Sequence, residues 1–134
     1  MNGSGAATGQ GMQRAIGFAM LAMVAAPASG SAADAATGQA VFNRCRICHT
    51  LEAGGRNGVG PNLHGLFGRK AGTVGNFPYS EAMQNSGIVW DDDSLTKYLR
   101  NPREFIPGDR MAFPGIKDEA QLADLIAYLH QATQ

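Results

Sequence analysis

Charge is what this sequence has least of. Lys, Arg, Asp and Glu together make up 16% of 134 residues, against roughly 25% in an average soluble domain. The formal net charge is zero, which excludes a general nucleic-acid binder relying on a basic surplus. Long apolar runs are missing as well: nothing reaches the ~18 consecutive apolar residues of a conventional membrane-spanning helix. No alternating strand pattern of any length occurs, no internal repeat, and no low-complexity segment after residue 37. Cysteine is restricted to positions 45 and 48, so no second pair exists to complete a four-ligand structural zinc site. What is plentiful is glycine, 18 residues, with 6 prolines. A single loop-rich domain with a thin apolar core follows, one in which something other than side chains fills the middle.

The first 33 residues read apart from the rest. Arg14 is the only charge before Asp34, and about twelve apolar residues follow it, then the small residues Pro27-Ala28-Ser29-Gly30-Ser31-Ala32-Ala33. That order describes a secretory signal peptide over 1–33, cleaved after Ala32 or Ala33. An uncleaved anchor competes poorly because the stretch is short and Ala-rich. Residues 1–11 make a weak n-region, which points to Met12 as an alternative start. The domain proper is then 34–134, with ten basic and eleven acidic side chains. Residues 34–75 carry five basic and two acidic groups, residues 76–134 five and nine.

Helical organisation shows in four places. Gly38, Val41, Phe42 and Cys45 lie on one face of a helix over 35–45. Residues 79–86 form a shorter one, stopped by Gly87. A third opens with Asp91-Asp92-Asp93, carries Leu95, Tyr98 and Leu99, and ends before Pro102; the aspartates are expected to solvate its positive end. The last follows a capping box, Asp118 with Gln121, and buries Leu122, Leu125, Ile126 and Leu129. The fold class is therefore all-α, three main helices plus a short one. Long loops over 50–78 and 101–117 wrap a non-protein core.

Cys45-Arg46-Ile47-Cys48-His49 carries the chemistry. Two thiols three positions apart are able to add to the two vinyl groups of one haem, and the next residue then lies under the iron. The C-x-x-C-H spacing is a c-type haem attachment signal, giving one haem c bound covalently through Cys45 and Cys48. A thiol–disulfide redox site would use C-x-x-C after a strand, and no strand is visible. His49 and Met111 are the expected metal ligands. Met111 sits between Pro107-Gly108 and Pro114-Gly115, turns that stiffen its loop, 62 positions past His49. His64 is too close to His49 to reach the opposite face and is expected to hydrogen-bond locally. His130 is expected in solvent, and Met83 in packing. A thioether ligand raises the reduction potential, and a six-coordinate iron has no open position, which argues for a carrier over a catalyst.

With those residues in place the sequence resembles class I cytochrome c over residues 38–132, both its mitochondrial and its bacterial periplasmic members. The matching runs include Gly60-Pro61-Asn62-Leu63-His64-Gly65-Leu66-Phe67-Gly68-Arg69-Lys70, Asn101-Pro102, Ile106-Pro107-Gly108 and Asp124-Leu125-Ile126-Ala127-Tyr128-Leu129. The resemblance implies the small cytochrome c fold, with Gly38 and Phe42 packed against Leu125 and Tyr128. It implies that the Pro61 carbonyl accepts from the His49 ring, and that Arg69, Tyr79 and Trp90 stand by the haem propionates. Tyr98 falls near the Met111 sulfur and Phe113 beside the exposed haem edge. Two positions depart from the pattern: Met83 replaces a usual Asn and Asp109 a common Thr. Only three lysines, at 70, 97 and 117, remain after residue 33, so arginines take over whatever steering the rim provides.

These readings converge on an electron-transfer protein, not an enzyme, located in the periplasm and monomeric. Its expected partners are membrane redox complexes that dock transiently: a quinol–cytochrome c oxidoreductase or dehydrogenase as donor, an oxidase or photosynthetic reaction centre as acceptor, and no nucleic acid. The competing readings are a peroxidase-like haem enzyme with open iron and a tethered subunit of a larger complex.

Overall fold

A computed structural model describes residues 3–6, 8–9, 11 and 32–134. Most of the expected signal segment, including all of 12–31, lies outside the described residues. The chain divides into two units, Met1–Gly30 and Ser31–Gln134, and the second holds everything that follows. Among the described residues there are five helices, no strand beyond an isolated antiparallel bridge between Lys70 and Val89, and no helix long and apolar enough to cross a membrane.

Helix α1 (Ala35–Phe42) starts where the Asp34 side chain accepts the Ala36 N–H at 2.8 Å. It is shorter than the periodicity predicts. Past Phe42 the chain continues in turns, with the Cys45 and Arg46 N–H groups both donating to the Phe42 carbonyl at 2.8 and 3.0 Å. Helix α2 (Glu81–Gln84), capped by Ser80, is also shorter than expected. Helix α3 (Asp92–Arg100) has a full capping box: the Asp91 carboxylate accepts the Ser94 N–H at 2.7 Å and Ser94 Oγ accepts the Asp91 N–H at 2.9 Å.

Helix α4 (Pro102–Phe105) occupies part of the stretch read as loop; proline stands at its first turn, where a missing N–H does no harm. Helix α5 (Glu119–Ala132) is capped by Asp118, which accepts the Gln121 N–H at 2.9 Å. Only that half of the expected box forms, because Gln121 Oε1 accepts from Arg44 Nη2 at 3.2 Å instead.

Helices α1 and α5 pack at close quarters. A Cβ on Gly38 would stand 1.9 Å from the Asp124 carbonyl oxygen, so no larger residue fits without parting the helices. The Phe42 and Tyr128 rings lie 5.5 Å apart. Phe42, Leu122 and Leu125 are almost wholly buried, each worth roughly 2–3 kcal/mol of transfer out of water. Leu95 and Leu99 of α3, with Met83, Trp90, Ile106 and Ile116, extend this core.

The loops are fastened by single bonds at intervals. Gly65 N–H donates to the Thr133 carbonyl at 2.6 Å, Gly68 N–H to Trp90 at 2.8 Å, and Ile116 N–H to Leu99 at 2.9 Å. His130 keeps 42% of its side-chain surface in solvent, as its place on the last helix suggests, but it is not free there. It stacks on Phe67, ring centroids 3.6 Å apart, and its Nε2 meets Asp92 Oδ1 at 2.5 Å. The three aspartates likewise do more than solvate a helix end: Asp91 caps, Asp92 holds His130 and Asp93 pairs with Lys97 at 2.7 Å.

Candidate functional site

The turns after α1 wind the Cys45–His49 motif compactly. Cys48 and His49 N–H both donate to the Cys45 carbonyl at 3.0 Å. Spacings of three and four in such a turn bring all three side chains to one side. Both cysteines are free and half-buried. Burial pushes the Cys45 thiol up to about 11, so at neutral pH it is S–H, a form slow to enter a disulfide.

His49 Nδ1 lies 2.7 Å from the Pro61 carbonyl. A carbonyl only accepts, so Nδ1 carries the proton and Nε2 keeps its lone pair for a metal. Burial lowers the His49 pKa against the opposing pull of the Pro61 bond, which keeps the ring neutral, as ligation requires. Gly60 makes room for it: a Cβ there would come 2.4 Å from ring atom Cε1.

Met111 is presented by a stiff loop. Ile106-Pro107-Gly108-Asp109 closes a turn through the Asp109 N–H to the Ile106 carbonyl, 3.0 Å, with Gly108 at φ 93°. Proline followed by a left-handed glycine is the type II pattern. Arg110 Nη2 ties the loop to the Pro78 carbonyl at 3.2 Å. The half-buried Met111 packs against the core, its Sδ 3.7 Å from Tyr98 Oη. That hydroxyl also donates to Asp109 Oδ2, while Asp109 Oδ1 accepts the Arg110 N–H at 2.8 Å. Burial first, then the Asp109 bond, pushes the Tyr98 pKa far above its usual range, so the phenol stays neutral.

The remaining expected residues surround these two halves. Arg69 spends its guanidinium on the loop, with Nη1 donating to the His64 carbonyl at 2.9 Å and Nη2 to Asn62 at 3.3 Å. The local hydrogen bonding expected of His64 is made by its backbone. Tyr79 Oη accepts the Val74 N–H at 3.2 Å. Trp90 is buried and lies 5.1 Å from the Tyr98 ring. Phe113 is half-buried against the same core, and Met83 is buried in it.

Two residues were given no role by the sequence. Asn62 stitches the loop together, its amide donating to Thr50 Oγ1 at 2.8 Å and to the Glu52 carbonyl at 3.0 Å. Asp109 stands out in the sequence only as a departure from the family pattern.

Two thiols, a neutral imidazole with Nε2 available and a half-buried thioether make up the donor set, and it fits haem c: thiols for the vinyl groups, nitrogen and sulfur for the iron. The comparisons agree. The cytochrome c family model matches residues 35–133. Cytochrome c2 of Blastochloris viridis is 46% identical over 118 residues, covering 88% of this chain and 93% of that protein. Cytochrome c of Arabidopsis thaliana is 49% identical over 102 residues, 75% of this chain and 91% of the relative. The solved structure of cytochrome cH from Methylobacterium extorquens superposes with a TM-score of 0.69 at 42% identity, over 73% of this chain and 98% of that one. Motif, fold and relatives meet in one conclusion, that this chain belongs to the cytochrome c family of haem-bearing electron carriers.

Proposed function

We propose that this protein is a periplasmic one-electron carrier and not an enzyme, with a single haem c attached through Cys45 and Cys48 and ligated by His49 and Met111. When bound, the haem supplies an iron that alternates between ferric and ferrous. The observation that carries the reading is the His49–Pro61 bond: it commits Nδ1 to a carbonyl and leaves Nε2 as the one ring position able to ligate. Met111 would supply the second protein ligand, from a loop whose Pro-Gly turn restrains it. Two side-chain ligands, His49 and Met111, would leave no open place on the metal for a substrate. Arg69, Tyr79 and Trp90 are the residues proposed to face the propionates, where a buried carboxylate needs donors.

Electrons come from a quinol–cytochrome c oxidoreductase or a dehydrogenase and pass to an oxidase or a photosynthetic reaction centre. The docking face is the basic half around the attachment motif. Arg44, Arg46 and Arg56 are exposed there, beside Ile47 and Val59, which are 83% and 82% exposed. Contacts of this kind are small and weaken with salt. Electron transfer is therefore expected to slow as ionic strength rises, and a rate indifferent to salt removes the docking face.

The visible spectrum of the ferric protein tests the ligation. The red charge-transfer band of methionine sulfur on ferric iron is expected in the wild type. Met111→Ala is expected to abolish it and let the ferrous protein bind carbon monoxide. A wild type that lacks the band and binds carbon monoxide at neutral pH has open iron, and the carrier reading fails.

A further inference from the structure

We infer that Asp109 is a positioning residue that withholds the Tyr98 hydroxyl hydrogen from the Met111 sulfur, and so keeps that sulfur a stronger donor to ferric iron. The inference rests on Met111 being the axial ligand. Tyr98 Oη has one hydrogen and two acceptors within reach, Met111 Sδ at 3.7 Å and Asp109 Oδ2. A phenol hydrogen goes to the stronger acceptor, and a carboxylate oxygen outranks a thioether sulfur. The carboxylate is itself held in place: Oδ1 takes the Arg110 N–H at 2.8 Å, and the Asp109 N–H closes the turn onto Ile106 at 3.0 Å. Arg110 in turn is anchored on the Pro78 carbonyl. Asp109 and Met111 thus sit on one stiff loop, while Tyr98 projects from α3. The loop carries both the ligand and the group that shields it.

A sulfur that accepts a hydrogen bond gives less electron density to the metal. That loss weakens the bond to ferric iron more than to ferrous, and so raises the potential. A negative charge near the iron would favour the ferric state, and so lower the potential. Asp109 therefore lowers the potential in two separable ways, through the hydrogen it captures and through its charge.

The experiment uses the haem-loaded protein and reads two quantities, the position of the ferric methionine–iron band and the reduction potential. Asp109→Ala is expected to shift the band and raise the potential, because Tyr98 then turns to the sulfur. Asp109→Asn keeps an acceptor but not the charge, so it is expected to raise the potential while leaving the band at its wild-type position. In a Tyr98→Phe background Asp109→Ala is expected to move the potential only, with no band shift relative to Tyr98→Phe alone.

An unmoved band in Asp109→Ala overturns the inference. So does an equal shift in the Tyr98→Phe background, and so does a full shift in Asp109→Asn, the milder variant that serves if the alanine protein fails to fold. Absence of the band from wild type overturns the ligation reading itself, which separates the two failures.

Discussion

The α1–α5 pair and the loops over 50–78 and 101–117 solve the problem of order by different means. The helices bury apolar side chains against each other: Phe42, Leu122 and Leu125 are 1% exposed or less, and Gly38 lets the two backbones nearly touch. The loops touch the core only at intervals. Leu66, Ala71, Ile106 and Ile116 are buried, Met111 and Phe113 are only half-buried, and isolated bonds from Arg69, Asn62, Arg110 and Gly65 hold the chain between them. Continuous packing makes a region stable from within. Spaced fasteners leave a region that is completed by whatever it encloses.

The sharpest way to break that contrast is to deny the loops their haem. Cys45→Ser with Cys48→Ser is expected to abolish covalent attachment altogether. Hydrogen exchange should then show amides of 50–78 and 101–117 losing protection, with what protection remains confined to α1 and α5. Simultaneous loss in both regions would make them one cooperative unit.

Next in size are changes inside the helix pair. Leu125→Ala is expected to lower stability by about 2–5 kcal/mol, and Gly38→Val by about 3 kcal/mol through forced separation of the backbones. Denaturant unfolding of the haem-loaded protein measures both, with the methionine band unchanged until the transition.

Arg69→Met strips the Asn62 and His64 carbonyls of their donor. About 1–3 kcal/mol should be lost, with exchange quickened around residues 60–66 and untouched in α1.

Acid should produce the smallest effect, and in the helices first. Asp34 and Asp91 have pKa values held below the ordinary 3.8, chiefly by the backbone N–H groups of Ala36 and Ser94. A carboxyl more acidic folded than unfolded contributes stability above its unfolded value and loses it as pH falls through the folded one. Melting temperature is expected to fall below about pH 4, with a shallower slope in Asp34→Asn/Asp91→Asn.

The same division explains what could be read beforehand. The pattern Leu122, Leu125, Ile126, Leu129 announced α5 because one face of it is buried along its length. The Cys45-x-x-Cys48-His49 motif was legible because its chemistry depends on local spacing alone. Helix α4 escaped because four residues are too few to show a period. The stack of His130 on Phe67 and the Tyr98–Asp109 bond escaped for another reason: each joins groups that only the finished fold brings together. Asp109 could be flagged as unusual, but nothing local says which hydroxyl it takes.

The pairing of α1 with α5 also sets an order of events in time. The first helix finds its partner only in the last one. As the chain emerges from its N-terminal side, α1 waits, unpaired, until nearly everything else has appeared. Throughout that interval Cys45, Cys48 and His49 are already out, with the nearby Gly60–Pro61 stretch to pack against but not α5. The helix that leads into the Cys45–His49 motif is therefore the last to find its packing partner.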